Sequence, residues 1–108
     1  MPDEPGVELP ASPRFALGKL VIENDVHDIL SMNRQSLAPL LRRHANADWG
    51  DVTSDLWQRN DHAIAAGHWI KSLYRLDGSS DVVGVRTNAA RTETCVRVEW
   101  DPPQGLKP

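Results

Sequence analysis

Residues 44–51 read His-Ala-Asn-Ala-Asp-Trp-Gly-Asp, centred on Asp48-Trp49-Gly50-Asp51. A helical pattern runs into this tetrapeptide and another leaves it. It combines two carboxylates, a large indole and a glycine free to take positive φ, which is the chemistry of a tight corner. On its C-terminal side, Thr53 or Ser54 caps a helix whose face carries Leu56, Asn60, Ala63 and Ile64, and Gly67 suits its end. Asn60 is the odd member, an amide set in an apolar stripe. Left unsatisfied in a core it would cost about 1–3 kcal/mol, so it needs partners, and the nearest unpaired backbone on offer is the Asp48–Asp51 corner.

From Trp69 the period changes to two. Ile70, Ser72, Tyr74 and Leu76 alternate with Trp69, Lys71, Leu73 and Arg75. Asp77-Gly-Ser-Ser80 is a turn, Val82–Thr87 a further strand, and Asn88-Ala-Ala-Arg91 the next turn. Over Thr92–Trp100, residues Thr94, Val96, Val98 and Trp100 share one face, opposite Glu93, Cys95, Arg97 and Glu99. That is a half-buried antiparallel strand.

Upstream of the corner, Ser36 caps a helix with Pro39 in its first turn and Leu37, Leu40, Leu41 and His44 on one face. A shorter helix carries Val26, Ile29 and Leu30 after a cap at Asn24 or Asp25. Phe15–Ile22 reads as the first strand. Residues 1–14 hold four prolines and read as a flexible arm, residues 15–100 as one domain, and residues 101–108 as a C-terminal tail. The expected fold is α+β: an antiparallel sheet of about four strands with about three helices on one face, in the order β-α-α-α-β-β-β. The first strand joins an edge or pairs centrally.

The 108 residues suit a single domain, and 25% charged against 40% hydrophobic is globular rather than disordered. The net charge of −3 is too mild for a polyanion mimic and argues against holding nucleic acid by bulk charge. The charge is uneven. Residues 1–55 carry five basic and nine acidic side chains, and residues 56–108 carry seven and six, which leaves room for a basic face on the C-terminal half. The single cysteine, Cys95, forms no internal disulfide and suits a reducing cytoplasm. No apolar run approaches the roughly 20 residues of a membrane span.

Several fragments resemble a family of small uncharacterised proteins encoded by phages, plasmids and similar mobile elements. They are Phe15-Ala-Leu-Gly18, Arg43-His44 followed by Asp48-Trp-Gly-Asp51, then Asn60 and Gly67. Ser72-Leu-Tyr74 and the hairpin Thr87-Asn-Ala-Ala-Arg-Thr-Glu-Thr94 complete the set. Ala47 departs from the family's usual glycine, and Asn88 and Ala90 from its usual glutamate and aspartate. The resemblance implies cargo of a bacterial mobile element and carries no reaction with it.

His44, Asp48 and Asp51 have spacings that suit an acid–base pair or one edge of a metal site. Nothing nearby completes a ligand set, so no metal or cofactor is expected. The structural reading has Asp48 or Asp51 capping the next helix, His44 donating to a corner carbonyl, and Asn60 closing the network with Trp49 and Gly50. Trp49 and Trp100 read as core; Trp57 and Trp69 flank polar residues and divide evenly between core and surface. Arg86, Thr87, Arg91, Thr92 and Thr94 gather around the last hairpin, where arginine could take phosphate or carboxylate in two-pronged fashion.

These observations point to a non-catalytic interaction protein in the cytoplasm, and action on a host defence or regulatory complex would fit the mobile-element cargo that the resemblance implies. Its contact surface is expected on the sheet side or last hairpin: Trp69, Lys71, Arg75, Arg86 and Arg91. The expected partner is a protein, with nucleic acid less well supported and no membrane. A homodimer through an open sheet edge is compatible with this. The alternative is a small hydrolytic or nucleic-acid-processing enzyme centred on His44, Asp48 and Asp51, with Asn60 and Arg91 in support. A cleft shared by His44 and Arg91 would favour the enzyme, and burial of His44 and Asn60 would disfavour it.

Overall fold

The computed structural model describes residues 13–101 and 103–108. The elements are β1 (Lys19–Ile22), α1 (Val26–Met32), α2 (Leu37–Ala45), α3 (Ser54–Ala66), β2 (Ile70–Arg75), β3 (Val82–Thr87) and β4 (Glu93–Glu99). This is the α+β order read from the sequence. The sheet runs β1-β4-β3-β2. The meander β2-β3-β4 is antiparallel, while β1 lies parallel to β4, so the sheet is mixed. A parallel neighbour requires a long crossover, and the chain between β1 and β4 supplies one. The ladder begins only at Lys19, whose N–H donates to the Thr92 carbonyl. Phe15, expected in that strand, is buried in a cluster with Trp49 and Ile70 instead.

The two faces of the sheet differ. One carries Tyr74, Val83, Val85, Val96 and Val98, all buried beneath Val26 and Leu30 of α1 and Leu40 and Leu41 of α2. Burial of each such side chain contributes about 1.5–3 kcal/mol before entropy is counted. The apolar positions of α2 repeat at helical spacing, and His44 occupies the next place on the same stripe. Helix α3 runs beside edge strand β2, capped by Thr53, whose hydroxyl accepts from the Leu56 N–H, and closed by Gly67 in the left-handed region.

Two further expectations are corrected. Trp100, placed in the buried register, is 66% exposed. The last β3–β4 pair is Val82 with Glu99, so Trp100 runs past the sheet, and its indole N–H donates to Asp25 at 3.2 Å. Within the segment read as a tail, residues 103–108 form part of the fold: Leu106 bridges Val52, Thr53 N–H donates to the Gly105 carbonyl, and Lys107 N–H donates to the Asp51 carbonyl. Leu106 thereby packs against the cluster that holds Leu73 and Val82.

Candidate functional site

His44 is fully buried and held at both ring nitrogens. Nδ1 lies 2.6 Å from the Ser72 hydroxyl and Nε2 lies 2.9 Å from the Thr87 hydroxyl. Thr87 and Thr94 share a 2.7 Å hydroxyl bond, and Thr94 donates to the Leu17 carbonyl. Each hydroxyl has one hydrogen, so the chain has one direction. With the Thr94 hydrogen committed to Leu17, Thr87 donates to Thr94 and His44 Nε2–H donates to Thr87. The ring therefore carries a proton on Nε2, and Nδ1 meets the Ser72 hydroxyl. Burial, followed by the charge of Arg91, pushes the His44 pKa down to about 3. The sequence reading gave His44 a corner carbonyl as its partner; strand hydroxyls take that place because Ser72, Thr87 and Thr94 all face inward beneath α2.

Asn60 and the Asp48–Asp51 corner serve a different purpose, which is to close the free edge of β2. Asn60 donates from Nδ2 to the Lys71 carbonyl at 2.7 Å and accepts from the Lys71 N–H at 3.3 Å. Leu73 N–H donates to the Trp49 carbonyl, and Asp51 N–H donates to the Leu73 carbonyl at 2.7 Å. The Asp51 carboxylate then accepts the Arg75 N–H at 2.8 Å. From the Lys71 N–H to the Arg75 N–H, every outward backbone group of this edge has a partner, as buried edges require.

Neither aspartate caps α3, since Thr53 does so. Asp48 pairs with Arg43 at 2.8 Å, and its carbonyl accepts from the Tyr74 hydroxyl. Burial works against the Asp48 carboxylate, but the Arg43 bonds outweigh it and hold its pKa below the usual value. Trp49 is fully buried, its indole N–H on Asp61, with Phe15 and His44 packed against its ring. The three residues of the catalytic alternative therefore do not share a cleft.

The surface residues divide into three groups. Trp69, Lys71 and Arg86 converge, joined by Arg59 of α3, along a cleft of about 570 Å³ between α3, the sheet and the C-terminal segment. The Arg59 guanidinium lies over the Trp69 ring at 3.7 Å from its centroid, and that of Arg86 at 4.8 Å. Among the described residues, no carboxylate or carbonyl takes a hydrogen bond from either guanidinium. Lys71 lies 3.9 Å from the Glu99 carboxylate, which Arg97 also approaches at 3.8 Å.

Arg75 stands apart, donating to the Lys107 carbonyl at 2.9 Å. Arg91 is engaged internally. Its guanidinium donates to the carbonyls of Ala63, His68 and Asn88 and lies against Phe15. It adds a side-chain donor to the Ala63 carbonyl, which also accepts from the Gly67 N–H, and ties the end of α3 to the β3–β4 turn, so it braces the fold.

Arg59 was missed from the sequence. A lone arginine between Leu56 and Ala63 looks like part of a solvated helix face. The available signal was its place on α3, facing Trp69 just ahead of β2. Burial, followed by Glu23 and Glu93, raises the Cys95 thiol pKa, which keeps it protonated. Among the described residues, no group of three His, Cys, Asp or Glu could hold a metal ion, and no helix is long and apolar enough to cross a membrane.

Comparison with protein-family models, with curated proteins and with solved structures finds no match to this chain.

Proposed function

We propose that this chain is a small non-catalytic binding module that captures a protein partner through the sheet face bearing Trp69, Lys71 and Arg86, completed by Arg59. One observation carries the reading. Two arginines are held on an indole at a cleft, yet among the described residues no acceptor uses their donors, while Arg43, Arg75 and Arg91 are each committed to internal oxygens. Guanidiniums fixed in this way lose little freedom on binding, and arginine and tryptophan are the residues on which interfaces concentrate their energy. The role as mobile-element cargo acting on a bacterial host complex in the cytoplasm follows the sequence resemblance.

Capture from a bacterial lysate by the tagged chain tests the reading. Arg59 and Arg86 are exposed, so the double variant Arg59→Glu/Arg86→Glu should shift stability by no more than about 1 kcal/mol. It is expected to lose the proteins that the parent enriches. Equal enrichment by both would reject the surface.

The open edge of β1 supports self-association as a second reading. The backbone groups of β2 are closed off, whereas β1 is the other edge of the sheet and Leu20 on it is exposed. Light scattering should then give twice the monomer mass at micromolar concentration, and Leu20→Lys should return the monomer. A monomer mass for the parent would remove this reading.

A further inference from the structure

We propose that the cleft between α3 and β3 receives a phosphoryl group carried on a segment of the protein partner. This rests on the interface reading above and adds the chemistry of what is recognised. Arg59, Lys71 and Arg86 bring three positive charges to the cleft, against one negative charge from Asp55 in its lining. The surplus matches a phosphate monoester, which carries close to two negative charges at neutral pH, better than a single carboxylate.

The donors match as well. Each guanidinium offers five N–H groups in a planar fork, suited to tetrahedral phosphate oxygens. Their contacts with Trp69 hold both forks in place before any ligand arrives. Lys71 adds a mobile point charge, and its loose approach to Glu99 leaves it able to turn to a stronger anion.

The same geometry favours a peptide over a nucleic-acid strand. Single strands are held by bases stacked on free aromatic faces along a basic groove. Here the one aromatic ring of the lining is already engaged by guanidiniums, and the chain as a whole carries −3. That net charge repels a polyanion at a distance but barely affects one phosphate seated between two arginines. Leu56 and Gly105 supply an apolar wall for the residues beside the phosphate.

The test is a titration of the full chain, followed by the Trp69 indole N–H and the arginine Nε–H resonances. Three probes are used: glycine–alanine pentapeptides bearing phosphoserine or phosphotyrosine, the same peptides unphosphorylated, and 5′-phosphorylated oligothymidylate. Saturable shifts are expected with the phosphopeptides, with affinity falling about tenfold in Arg59→Gln and again in Arg86→Gln. No saturation is expected with the unphosphorylated peptides. Equal binding of both peptide forms, tighter binding of the oligonucleotide, or undiminished binding by the variants would overturn the proposal. Lysate capture separates this from the interface reading. A partner that needs Arg59 and Arg86 but survives phosphatase treatment refutes the phosphoryl ligand alone. Capture indifferent to both arginines removes the interface as well.

Discussion

His44→Ala is expected to destabilise the protein by about 3–5 kcal/mol, more than any substitution on the open sheet face. The change empties a fully buried ring site and removes two hydrogen bonds. It also leaves the buried Thr87 hydroxyl without its donor and Ser72 without its imidazole partner. The parent should show a pH dependence that the variant lacks. An unfolded chain protonates this imidazole near pH 6.5, while the folded protein resists to about pH 3. Between those values unfolding takes up a proton, so stability falls as the pH falls, by about 1.4 kcal/mol per pH unit. Above pH 6.5 the contribution is fully present, and it is gone once the pH passes below the folded value. Urea midpoints of parent and variant, measured from pH 7 to pH 4, should therefore converge on acidification. Carboxylates such as Asp48 titrate in both and cancel in the difference. Parallel curves would show that His44 titrates alike in the folded and unfolded chain, so that burial does not hold it neutral.

Periodicity in this sequence decides the elements and their faces, but it carries no sign of where a side chain substitutes for backbone. The alternation of Thr94, Val96 and Val98 fixed which face of β4 is buried, because a strand has only two faces. Trp100 continues the same alternation, yet pairing stops at Glu99, and pattern carries no sign of where a neighbouring strand ends. Asn60 was recognised as an amide needing partners. Its actual partner, the Lys71 backbone, depends on α3 lying alongside β2, which is a tertiary fact. His44 had a local signal that went unused. Ser72 and Thr94 both sit in registers otherwise filled by apolar residues, and hydroxyls there require a polar neighbour above them. Arg91 and Arg59 exchanged roles for a similar reason. Both are single cations on the chain, and only the packing decides which one meets the end carbonyls of α3 and which one meets solvent.

The corner itself can be tested by comparing two glycines of the same handedness. Gly50 and Gly67 both have φ in the left-handed region, at 78° and 75°. A Cβ on Gly67 would meet nothing within 4 Å, so Gly67→Ala isolates the conformational penalty, about 1 kcal/mol. A Cβ on Gly50 would fall well inside contact distance of the Leu73 carbonyl oxygen and the Tyr74 ring. Neither neighbour yields readily. The Leu73 carbonyl is bonded to the Asp51 N–H, and the Tyr74 hydroxyl to the Asp48 carbonyl. Gly50→Ala must therefore lift the corner away from β2 and is expected to cost about 3 kcal/mol or more. The consequence reaches beyond stability, because lifting the corner frees the outward groups of Leu73 and the Arg75 N–H. Amide exchange at Leu73 and Arg75 should accelerate in Gly50→Ala relative to Gly67→Ala, and the exposed edge should promote aggregation on refolding. If the two alanine variants lose equal stability and protect Leu73 equally, the corner does not close this edge, and the role assigned to Asp48–Asp51 falls with it.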